Sequence, residues 1–148
     1  MSYQEKKGII SLISTILIFG FYSWYMFQKY DGGSLDQVDM FKFWGAFVLN
    51  LILVSIFANI VISILFVSMY KITTHEIVPS FTDELDKIIG LKATRNSHYV
   101  FILGFLLSMG SLVLEMPISA MFIILICFGF VSAVVGILTQ LYLYRRGV

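Results

Sequence analysis

The side chains that could do chemistry are few and far apart. His75 and Glu76 adjoin in the stretch THEIV. A zinc-protease helix needs a second His four residues after the first, and none follows. His98 stands alone, and two isolated imidazoles make a poor metal site, so surface or interfacial roles are expected for both. A single cysteine, Cys127, excludes an intramolecular disulfide and the thiol pair that a disulfide oxidoreductase needs. Lying in an apolar run, it reads as an inert packing residue. Neither a glycine-rich phosphate loop nor a Ser-His-Asp set can be assembled. No catalytic residue, metal or cofactor is expected, and the chain reads as a non-enzyme.

What remains are polar groups inside greasy stretches and one dense cluster of charge. Ser55, Asn59 and Ser63 recur at helical spacing, as do Gly104, Ser108 and Ser111 leading to Glu115, and Gly129, Ala133, Gly136 and Gln140. Such stripes let helices approach and hydrogen-bond, for about 0.6–2 kcal/mol per polar contact. Asn59 is expected to face another helix, because lipid offers its amide no partner. A permeation path lined by Asn59, Ser108 and Gln140 is the sharper alternative. The charged cluster is FTDELDKIIGLKATRN, residues 81–96, with Asp83, Glu84, Asp86, Lys87, Lys92 and Arg95.

These residues need elements to hold them, and composition says which. Of 148 residues, 59% are hydrophobic and 13% charged, with a mean hydropathy of +0.91. A soluble domain carries about 25% charged residues. A soluble core of this size cannot hide so much apolar surface, so a bilayer is the expected solvent. A net charge of +1 gives no basic face for nucleic acid.

Four stretches are long and apolar enough to span, at about 8–27, 43–69, 97–114 and 118–143, within one membrane domain over 1–148. The N-terminal stretch continues into bulky aromatics where a leader would show a small-residue cleavage site, so it reads as a retained helix. The expected fold is an all-α four-helix transmembrane bundle of two antiparallel hairpins. Placing both termini inside puts Lys6, Lys7, Lys71, Lys87, Lys92, Arg95, Arg145 and Arg146 on one side and only Lys29 and Lys42 on the other. That asymmetry favours cytoplasmic N- and C-termini in a cell membrane.

The first outer link contains a Gly-Gly turn and is flanked by Tyr22, Trp24, Tyr25, Phe43 and Trp44, which reads as an aromatic belt at headgroup level. The second is only Glu115-Met116-Pro117, which makes the last two helices antiparallel neighbours, with Pro117 suited to a first helical turn.

Within the inner loop, about 70–96, Phe81, Leu85, Ile88 and Ile89 form one apolar stripe, with charges on the opposite face. A cytoplasmic amphipathic helix is expected, broken from the preceding helix at Pro79, capped by Ser80 or Thr82 and bending at Gly90 into the third span. Leu85, Ile88 and Ile89 would be buried against the bundle or headgroups. Asp83, Glu84 and Asp86 would face water or a partner, while Lys92 and Arg95 meet anionic headgroups.

Asp83-Glu84, Ile89 and Lys92-Ala93 resemble the pattern D-E-R-x-x-x-I-x-x-K-A of a family of small prokaryotic multi-span membrane proteins, with Leu85 in place of the Arg. The resemblance covers about a dozen residues and the helices around them. It implies a bacterial inner-membrane protein without catalytic residues, some members being encoded beside small helix-turn-helix regulators. The expected function is that of an accessory or sensor subunit acting through residues 71–96, in contact with the bilayer, a cytoplasmic or membrane protein, and further copies of itself. A small oligomeric channel or transporter is the alternative.

Overall fold

In the computed structural model, residues 3–29, 36–74 and 84–146 are described. Asp83, the His75–Glu76 pair, the break at Pro79, Phe81, the caps at Ser80 and Thr82, and the Gly32-Gly33 turn lie outside the described residues. The chain folds as four helices, α1 (Tyr3–Gln28), α2 (Gln37–Thr74), α3 (Glu84–Val113) and α4 (Ile118–Arg146). All four are long and apolar enough to cross a bilayer. Each expected span falls on one of them. α2, with 38 residues, is about 57 Å long at 1.5 Å per residue and so outruns a hydrocarbon core of about 30 Å.

Burial is inverted relative to a water-soluble protein. Among the described residues, Ser14, Ser108, Ser111 and Ser132 are buried, while Leu17, Phe57, Ile64 and Leu106 are exposed. Water would penalise that surface, whereas acyl chains solvate it. Together with the four spans, this makes the chain a multi-pass membrane protein.

The tightest contact joins α3 to α4. Gly104 lies so close to Phe128 that an added Cβ would stand 2.1 Å from that residue's Cβ. Nearer the termini, a Cβ added at Gly136 would meet Ser97 and the Ala93 carbonyl at ordinary contact distance. Where the backbones approach, Ser97 and Ser132 share a hydrogen bond of 2.9 Å. Ser108 and Ser111 donate to the Phe105 and Ser108 carbonyls of their own helix, so these hydroxyls are satisfied in the seam. On α4 the seam uses Phe128, Ser132 and Gly136. Gly129 and Ala133, expected to pack, open onto a cavity.

A tight turn fixes the hairpin. Met116 N–H bonds to the Ser111 carbonyl at 3.1 Å and Glu115 N–H to the Leu112 carbonyl at 3.2 Å, the pair of bonds of a Schellman C-cap. Glu115 takes the left-handed position with φ 55°, where glycine is the usual residue.

α1 lies on α4 through Gly8 against Leu141 and through stacked Phe19 and Phe130 rings, 4.1 Å apart. α2 meets α1 at both ends. At one end the Tyr22 hydroxyl donates to the Phe47 carbonyl at 3.0 Å, and Trp44 stacks on Phe122 of α4 at 5.9 Å. At the other, Tyr3 packs against Phe66 and Tyr70. Between these contacts a cavity of about 510 Å³ opens among the helices.

Two expectations change. Trp44 is 2% exposed and belongs to the core with Phe47 and Met26, because three helices converge there and need a large filler. Trp24, at 71% exposure, keeps a position suited to the belt. Cys127 is exposed on α4, on a face turned from the bundle, and does not pack inside it.

Candidate functional site at the termini end of the bundle

The charged segment is continuous with the third span. From Glu84 onward it is part of α3, and Gly90 does not interrupt the helix. A glycine costs a helix about 1 kcal/mol relative to alanine, too little to break one that is packed on both sides of it. Packing also sets the rotation of the segment. Stepping back along the seam from Ser108 through Gly104, Ser97 and Ala93, the same face continues to Ile89 and Asp86. Ile89 and Ala93 are accordingly buried, at 0% and 1% exposure.

This phase corrects the amphipathic reading. Leu85 and Ile88 are exposed, so among the described residues of the apolar stripe only Ile89 is covered by protein. Asp86, expected to face water or a partner, turns inward. It accepts a hydrogen bond from the Tyr144 hydroxyl at 2.8 Å and one from Gln4 Nε2 at 3.2 Å. One carboxylate thus ties the ends of α1, α3 and α4. Bonds to an ionised group contribute about 1.5–3 kcal/mol each, more than neutral pairs. Beside it lies a largely polar cavity of about 330 Å³ lined by Gln4, Lys7, Ser11, Asp86, Gln140 and Tyr144.

The remaining candidates fall in separate places. Glu84 and Lys87 are exposed on the outer face of α3, with Glu84 in the first turn, where a negative charge suits the helix dipole. Lys92 and Arg95 share a groove between α3 and α4. Asn59 lines the mid-bundle cavity and donates to the Ser55 carbonyl of its own helix at 2.8 Å, so the expected contact with a neighbouring helix is not made within one chain. Ser108 is buried in the seam, and Glu115 is exposed in the far turn. The structure therefore brings Asp86 together with Gln140, and Lys92 with Arg95. It does not bring Asn59, Ser108 and Gln140 into one path within a single chain.

Gln4, Ser11 and Tyr144 were not anticipated from the sequence. A signal was present: Gln4 and Ser11 are seven residues apart, and Gln140 and Tyr144 four, so each pair lies on one face at a helix end. His98 is exposed, and among the described residues no group of His, Cys, Asp and Glu could hold a metal ion. The arrangement can hold helix ends in fixed register and offer polar atoms to a small group. The chain matches no protein-family model, and neither a curated protein nor a solved structure is similar enough to serve as a relative.

Proposed function

We propose that this chain is a non-enzymatic accessory or sensor subunit of a cell membrane, acting through its 71–96 segment on the cytoplasmic side. The carrying observation is the Asp86 clamp. It holds the projecting start of α3 against α1 and α4, so that this start moves with the transmembrane hairpin. A helix fixed in this way transmits a shift of the hairpin to whatever touches its outer face, where Glu84, Leu85, Lys87, Ile88 and Leu91 are exposed. Eight basic residues at this end against two at the other support cytoplasmic termini. Membership of the small prokaryotic family is part of the same proposal. Its apolar motif positions, Ile89 and Ala93, are the ones buried here, which fits a motif that seats the helix.

Cysteine labelling at Asp36 and at Lys87 should report opposite sides of the membrane, with Lys87 inside. Photo-crosslinkers at Lys87 and Leu91 in native membranes should trap one discrete protein, and Glu84→Lys with Lys87→Glu should abolish that adduct while the chain still inserts. Adducts to lipid alone would remove the reading. The second reading, an oligomeric channel, rests on the cavity beside Asn59. Its lining is mainly apolar, which favours the first. Ion or solute flux into liposomes that is lost in Asn59→Leu would reverse that preference.

A further inference from the structure

Lys92 and Arg95 line a groove of about 570 Å³ between α3 and α4. Asn96 stands beside them, and Leu138 and Tyr142 form part of the α4 wall. Arg146 closes the edge, donating to the Tyr142 hydroxyl at 3.0 Å with its guanidinium over the Tyr142 ring. Two cations thus line the groove with a third at its edge, and among the described residues no carboxylate lines it. Asp86 lies on the opposite face of α3, engaged by Tyr144 and Gln4. Glu84 precedes Lys92 by eight residues, about 12 Å along the helix.

Clustered like charges repel unless a counter-charge joins them, and near a surface each basic group attracts anionic lipid. The groove has the two parts that a phospholipid requires. Its charged part lies toward the end of the bundle that carries the termini, with a guanidinium able to grip two phosphate oxygens and an ammonium to complete the charge. Its α4 wall adds Val135 and Leu138, and Leu138 is 48% exposed and suited to an acyl chain.

We propose that this groove is a binding site for one anionic diacyl phospholipid, its phosphodiester held by Lys92 and Arg95 and one chain lying along Leu138. The site is distinct from the Asp86 clamp and does not depend on the accessory-subunit reading.

The test uses full-length protein in phosphatidylcholine nanodiscs containing a minority of phosphatidylglycerol, with retained lipid measured by native mass spectrometry after release. Wild type should retain phosphatidylglycerol over phosphatidylcholine. Lys92→Gln with Arg95→Gln should reduce that preference about thirtyfold, as expected for the loss of two surface cations. Lys6→Gln with Lys71→Gln removes equal charge from the same end and should leave the preference intact. Leu138→Trp, which fills the groove without altering charge, should also reduce it, and circular dichroism of each variant in phosphatidylcholine checks that the fold persists. Equal retention of both lipids by wild type would overturn the proposal. So would an equal loss in the Lys6 and Lys71 control, or full displacement of the lipid by inorganic phosphate, which would indicate a site for a free anion.

Discussion

The two hairpins of this bundle solve the same problem in opposite ways. α3 and α4 meet through glycine and serine, so their backbones come close enough for Gly104 to have no room for a methyl group beside Phe128. α1 and α2 meet through aromatic pillars at their two ends, Tyr22 with Phe47 and Tyr3 with Tyr70, and stand apart between them around a cavity of about 510 Å³. In lipid, apolar side chains gain little from facing one another rather than acyl chains, so association depends on close packing and hydrogen bonds. The small-residue seam provides both along its length, whereas the pillars provide them only at two points. The difference assigns roles: α3–α4 is the rigid unit that carries the charged extension, and α2 is the element free to adjust.

The sharpest way to break this contrast is to make comparable changes on both sides of it. Gly104→Val should destabilise the protein by about 3 kcal/mol, because the helices must separate to admit it. Gly129→Ala, where an added Cβ meets nothing within 4 Å, should cost nothing and stabilise the helix by up to about 1 kcal/mol. Equilibrium unfolding of both variants in the same bicelles checks the ranking, and equal losses would erase the distinction. Next in size is the clamp. Asp86→Ala should cost about 2 kcal/mol, since it removes two hydrogen bonds and leaves Tyr144 and Gln4 without their shared acceptor. Limited proteolysis should then cut near the start of α3 first. Unchanged protection there would mean that the extension is held by Ile89 and Ala93 alone.

Glu115→Gly should act in the other direction and stabilise the hairpin by about 1 kcal/mol, because glycine adopts φ 55° without the strain of a side chain. A fall in the melting temperature would show that the Glu115 carboxylate contributes more than its backbone strain takes away. The smallest effect is expected at α2. Asn59→Leu should cost no more than about 0.6 kcal/mol, since the amide bonds only to its own helix within the chain. A larger loss that grows with protein concentration would place Asn59 at a contact between copies.

The sequence carried the architecture well because span length and hydropathy are local quantities: four apolar stretches could only become four helices. The α3 half of the seam, Gly104, Ser108 and Ser111, was equally legible as small residues on one face. On α4 the expected stripe was right at Gly136, which packs against Ser97, and one position off next to it, since Ser132 and not Ala133 faces α3. Composition alone does not distinguish two adjacent small residues. The amphipathic stripe of 85–89 misled for a related reason. It was read as a surface helix set off from the third span by a bend at Gly90, but unbroken continuity with α3 fixed its rotation and turned Asp86 inward. Gln4 and Tyr144 lie more than 50 residues from Asp86 in sequence, and only the packing of α1 and α4 brings them together.

The central contrast can be tested in membranes by disulfide trapping after Cys127→Ala. Ser97→Cys with Ser132→Cys joins positions whose side-chain oxygens are 2.9 Å apart, close enough for a bond of normal geometry. Thr15→Cys with Ser55→Cys faces across the mid-bundle cavity between α1 and α2. Mild oxidation should close the first pair rapidly and almost completely, and leave the second open. Equal or faster closure of the α1–α2 pair would contradict the account of a tight hairpin beside a loosely held helix.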